Sequence, residues 1–144
     1  MGGDICHYAG IFRPSEYLPI PSSISPHPCH GTHGDIPTPL CPGQAWVDLQ
    51  TTRGREPNQP LFDMTFGGDI PLAHKTAGHL QELDCLENVF VIIAHDSAVR
   101  DNVPHFPEDK EENLNDWRER GWAKRVKWNF LKDLDVYWKE KGLA

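Results

Sequence analysis

Proline governs the first half of this chain. Pro19, Pro21, Pro26, Pro28, Pro37, Pro39, Pro42, Pro57 and Pro60 crowd residues 13 to 60, among Ser, Gly and His. A proline fixes φ and lacks an amide hydrogen, so such a run holds neither a long helix nor a central strand. The pattern predicts a long loop over about 13–60, interrupted by one short helix near Gln44–Gln50. Loops longer than ~15 residues are uncommon in compact domains and tend to carry function.

Regular structure is predicted from Asp69 onward. Asp69 can cap a helix whose first turn tolerates Pro71. Ile70, Ala73, Ala77, Leu80 and Leu83 then recur at helical spacing and form a stripe facing a core. The apolar run Val89–Ala94 is short and β-branched, which predicts a strand buried on both faces. It ends in His95 and Asp96, polar residues at the position where sheet enzymes often place chemistry. After the acidic stretch Glu108–Glu112, a C-terminal helix is expected, capped by Asn113 or Asn115, with Trp117 in its first turn. Gly121 should split it in two, with Val126, Phe130, Leu134 and Trp138 on the apolar face of the second piece. Lys124, Lys127, Lys132, Asp133 and Glu140 read as a solvated face. A helix–strand–helix core over about 69–144, within a single domain spanning 1–144, predicts an α/β layered architecture.

Composition narrows the function. Asp and Glu number 21 against 14 Lys and Arg, a formal charge of −7, which argues against a nucleic-acid partner because counterion release needs a basic surface. Mean hydropathy is −0.55, and no apolar run approaches the ~18 residues of a membrane span. Residues 1–4 carry neither a basic nor an apolar region, so no secretory signal is expected. Cys6, Cys29, Cys41 and Cys85 show no CxxC spacing and are expected to be free thiols in a reducing, cytoplasmic setting.

Three places could carry chemistry. Asp4 and His7, three residues apart, could ligate a metal or share a proton, or could simply bond to loop backbone. His95 and Asp96 close the buried run, where a histidine can act as an acid–base group or merely satisfy a strand end. His27, Cys29, His30, His33 and Asp35 are ligand types that zinc prefers, set in a Gly/Pro loop without a rigid framework. His74 and His79 share no helix face well, and Ser15 and Ser97 have no base beside them in sequence. No nucleophile elbow, phosphate loop or dinucleotide fingerprint is present.

Three segments in order, Gly2-Gly3-Asp4-Ile5-Cys6-His7-Tyr8 through Tyr17, Val89 to Asp96, and Leu114-Asn115-Asp116-Trp117 through Asp133, resemble the C-terminal half of fungal metallo-β-lactamase-fold hydrolases. The resemblance covers nearly the whole chain. It implies half of an αββα sandwich, a mixed sheet covered by helices, from a family that binds one or two zinc ions and hydrolyses lactones, esters and thioesters. By resemblance, Asp4 matches a metal-bridging aspartate and His95 the last histidine ligand. His7 and Tyr8 match a His-His pair, with Tyr in the second place. The family's HxHxDH signature occurs nowhere in these residues, so the resemblance covers the fold without that metal-binding half. A half-sandwich exposes an apolar face, and self-association about a twofold axis, or a partner chain, would cover it.

Three functions follow as expectations. The first is a small-molecule hydrolase, cyclase, lyase or isomerase of fungal secondary metabolism that needs no resident cofactor. There His95 would move the proton, Asp4 would orient it, and His7, Tyr8 or Arg13 would stabilise an oxyanion beside a pocket walled by the Pro-rich loop. The second retains zinc on Asp4 and His95, with further ligands from the His27–Asp35 cluster or a partner chain. The third is a non-catalytic remnant or accessory subunit.

Overall fold

The computed structural model describes residues 5–22, 24, 42–65, 67–104 and 114–140. Helices α1 (Pro42–Thr52), α2 (Ile70–Asp84), α3 (Ser97–Asn102), α4 (Trp122–Lys127) and α5 (Asp135–Glu140) follow one another there, with 3-10 turns at Ala9–Ile11, Leu114–Asp116 and Asn129–Leu134. The helix expected near Gln44–Gln50 is α1. Its inner face buries Trp46 and Gln50, whose side chains donate to the carbonyls of Pro57 and Gln59 at 2.9 and 2.7 Å. Those bonds fold residues 57–61 back along α1 without any regular structure of their own.

Asp69 caps α2 as its sequence requires, accepting the Leu72 amide at 3.0 Å, and Pro71 lies in the first turn. Ala77 and Leu80 of the expected stripe are buried. Its last member is not: Leu83 is 48% exposed, and Asp84 is 2% exposed in its stead. Arg13 explains the exchange. Its Nε and Nη2 donate to the two carboxylate oxygens of Asp84 at 2.7 and 2.6 Å, and its Nη1 donates to the Lys127 carbonyl at 2.9 Å. The Lys127 ammonium in turn donates to the Asp84 carbonyl at 2.6 Å. A buried carboxylate is tolerated because a planar, bidentate cation satisfies it.

The long loop is therefore only partly a loop. Phe12, Arg13, Pro14 and Ser15 are buried, and residues 10–13 pair with 61–62 through Leu61 N to Arg13 O and Phe62 N to Gly10 O. Gly10 permits this approach, since a Cβ there would stand 2.6 Å from the Tyr8 ring and 3.2 Å from Leu61 Cβ.

The expectation of a strand at Val89–Ala94 is corrected. Among the described residues no strand forms, and only Ile93 makes a lone β-bridge. Val91 and Ile93 are nonetheless buried in the main core with Cys6, Phe12, Trp46, Leu80, Phe130 and Leu131. The run is apolar because it crosses the core, and a strand needs a paired neighbour that its own sequence cannot supply. The half-sandwich with its mixed sheet is likewise not what the described residues form. The C-terminal helix breaks at Gly121, whose φ of 67° is left-handed, and the segment after it is not one piece but three: α4, a 3-10 turn and α5. Its cap differs from expectation too, since a 3-10 turn occupies Leu114–Asp116 and Asn113 lies outside the described residues. Val126 packs in a second, smaller core with Ala98, Val103 and Trp122, whereas Phe130 belongs to the first.

Candidate functional site

The apolar run leaves the core at His95, and the backbone turns sharply there. His95 has φ of 61°, a left-handed conformation that costs a residue with a side chain roughly 1–2 kcal/mol. The turn is stabilised one residue later. Asp96 caps α3, its carboxylate accepting the amides of Ala98 and Val99 at 2.9 and 3.4 Å. The cost at His95 is thus offset by the cap at Asp96, and the imidazole is left exposed at the corner.

His7 meets it from the opposite end of the sequence. The two rings lie edge to face, with centroids 5.2 Å apart at 81°. A cleft of about 20 Å³ is lined by both imidazoles with Tyr8, Asp96, Ser97, Phe130 and Asp133. That is room for one water, held among several polar partners. On its other side His7 borders a second cavity of about 160 Å³, lined with Ile5, Cys6, Ile11, Met64 and Ala73. The histidine therefore stands between a small polar cleft and an apolar chamber with room for about one small ring.

Tyr8 completes the cleft as a neutral donor. Its hydroxyl donates to the Phe130 carbonyl at 3.2 Å. Burial first, and then the Asp133 and Asp96 carboxylates, hold its phenol well above the usual tyrosine range, so it does not ionise near neutrality. Its ring is wedged against Phe62 and Phe130. Burial likewise pushes the Cys6 thiol up to about 11, a packed and inert sulfhydryl rather than a nucleophile. Cys6 and Cys85 are unpaired; Cys29 and Cys41 lie outside the described residues.

Of the expected site residues, His7, Tyr8 and His95 come together. Arg13 does not join them: all three nitrogens of its guanidinium are engaged by Asp84 and Lys127, so it braces the fold and is no oxyanion donor. Asp4 and the His27–Asp35 cluster lie outside the described residues. Asp133 is exposed, as the solvated face expects, and it also lines the cleft, which nothing in its local sequence signals.

Comparison with known proteins sets this corner in context. The chain is 34% identical over 138 residues to a gamma-lactamase of Fusarium pseudograminearum, covering 93% of this chain and 31% of that protein. It is 35% identical over 138 residues to a metallo-hydrolase of Annulohypoxylon moriforme, covering 93% and 32%. This chain is a homologue of one part of the fungal metallo-hydrolases and gamma-lactamases. A cytochrome P450 monooxygenase of Penicillium roqueforti contains a similar stretch, 35% identical over 137 residues and 13% of its length. The chain thus spans about a third or less of the length of these relatives. No family model matches the sequence, and no solved structure matches it.

The metallo-hydrolase relationship implies a metal, and the donors present can be tested against one. Among the described residues no three His, Cys, Asp or Glu side chains converge as a metal site. His7 and His95 offer two donors, where a catalytic zinc takes three protein ligands and a water. The described donors do not fit a complete metal centre. What they do supply is two imidazoles and one neutral phenol around a water-sized cleft.

Proposed function

We propose that this chain provides the proton-transfer part of a small-molecule enzyme acting on cyclic amides or esters, a hydrolase or a lyase or isomerase descended from one, in fungal secondary metabolism. The observation that supports this most is the His95 corner: an exposed imidazole on a left-handed residue, edge-on to His7, over a cleft the size of one water. A non-glycine residue held in a costly conformation is a reason to look for function. Imidazole can take and return a proton at cellular pH.

In a hydrolytic cycle His95 takes a proton from water in the cleft as the water oxygen bonds to the carbonyl carbon. The Tyr8 phenol, held neutral and donating to the Phe130 carbonyl, forms one wall of the cleft in which this occurs. His95 then returns the proton to the departing nitrogen or oxygen as the ring bond breaks. The apolar chamber beside His7 takes the rest of a small ring. Two relatives carry the name gamma-lactamase, which makes γ-lactams the first substrates to try, with γ-lactones beside them.

A second reading is favoured by the convergence of the two imidazoles themselves. His7 and His95 could be part of a metal ligand set completed by Asp4, by the His27–Asp35 cluster or by a partner chain. One experiment separates the two. Purified chain is assayed on γ-lactams and γ-lactones with and without chelator, while native mass spectrometry records zinc content and oligomeric state. Chelator-insensitive turnover that His95→Ala lowers by roughly 10²–10⁴-fold supports the acid–base reading. Turnover that follows zinc content supports the second reading. No turnover in either arm removes both and leaves an accessory role.

A further inference from the structure

A larger cavity lies away from the His7–His95 corner and shares no lining residue with its cleft. It is a groove of about 540 Å³, within the range of sites that hold small organic ligands. Leu18, Val89 and Trp117 give it apolar walls, and Arg118, Lys124 and Lys127 line it with positive charge against one acidic side chain, Glu87. That local excess stands out in a chain of net charge −7.

The three cations are available. Among the described residues none of them pairs with a carboxylate. Lys127 uses one N–H on the Asp84 carbonyl, which fixes its ammonium at the groove wall and leaves two donors. The Arg118 guanidinium lies over the Trp117 ring, 5.3 Å from its centroid, so charge and apolar surface adjoin. Lys124 is exposed at the rim.

We propose that this groove binds a small amphiphilic carboxylic acid, its aromatic or short aliphatic body against Trp117, Leu18 and Val89 and its carboxylate answered by the three cations. A polyanion would gain nothing from the apolar walls, and a neutral apolar guest would gain nothing from the three cations. An acid with a hydrophobic body uses both. The charge complementarity also sets it apart from an apolar segment of another chain, which would bind without preferring an anion.

The test uses 3-phenylpropionate, with 3-phenylpropanol as its neutral counterpart, titrated into the purified chain by calorimetry. Cys85 lines the same groove and reports location through its rate of alkylation by iodoacetamide, read by peptide mass mapping. The expected result is saturable one-to-one binding of the acid, binding of the alcohol weaker by roughly tenfold, and slower alkylation of Cys85 when the acid is present. Lys124→Glu should weaken the acid by roughly tenfold and leave the alcohol unchanged, while Lys124→Arg retains binding. Because Lys124 is exposed, thermal melts of both variants should match the parent. The proposal is overturned by the absence of saturable binding at ~10 mM acid, by equal binding of acid and alcohol, by unprotected Cys85, or by a Lys124→Glu variant that binds as the parent does.

Discussion

The two ends of the main core are built on opposite terms. At one end Arg13, Asp84 and Lys127 close on one another, with each nitrogen of the guanidinium donating to an oxygen and the pair almost wholly out of water. At the other, His95 is exposed, holds a left-handed backbone and meets His7 edge to face, the ring centroids 5.2 Å apart. The first region trades freedom for rigidity. The second keeps two ionisable rings accessible at a conformational cost, which is what a reacting group needs and a structural one does not. The difference teaches where to look for chemistry in this chain: at the polar groups the fold leaves open.

The largest break in that comparison is Arg13→Ala. It strands the Asp84 carboxylate in the core and should cost roughly 3–5 kcal/mol, measured by urea denaturation, while Arg13→Lys should recover only part because an ammonium cannot bridge both oxygens. An Arg13→Ala variant as stable as the parent would mean that the pair is not buried in solution.

A change of opposite sign sharpens the contrast at the other end. His95→Gly relieves the left-handed backbone and should raise stability by roughly 1 kcal/mol, seen as a higher Tm, while removing whatever turnover the parent shows. A variant that lost both stability and activity would make His95 a packing residue.

How much of this was legible in the sequence differs between the same two regions. The start of α2 and the break at Gly121 were, because Asp69, Pro71 and Gly121 act on their own few residues of backbone. His95 was legible as the residue where an apolar run stops. Its left-handed turn was not, since histidine adopts that conformation far less readily than glycine, and the Asp96 cap that stabilises the turn looks in sequence like one more polar residue. The Arg13–Asp84 pair was invisible because its partners are 71 residues apart and Asp84 occupies a place the helical pattern assigns to Leu83. The strand failed for a related reason: Val91 and Ile93 are as buried as a strand would make them, and burial is all that an apolar run specifies.

At neutral pH the titration of the Cys6 thiol makes no difference to stability; its effect appears only as pH rises. Burial raises the Cys6 thiol from 9.0 to about 11, so folding favours its neutral form. The stability this contributes is complete below pH 9.0 and is lost as pH rises through about 11. Cys6→Ala should therefore flatten the fall in stability across that window relative to the parent, measured by chemical denaturation at a series of pH values. Parallel curves would show that the thiol titrates no differently in the folded chain.

The Arg13 contact also bears on the order in which the molecule assembles. Its bonds reach across 71 residues to Asp84 and 114 to Lys127, so they close only after most of the chain has been gathered. Contacts at such separation reward the chain late, once loop entropy has been met, and a late contact is mostly absent from the folding transition state. Its strength then resides in the unfolding barrier. Arg13→Ala should then speed unfolding more than it slows folding, read from the two arms of a denaturant chevron.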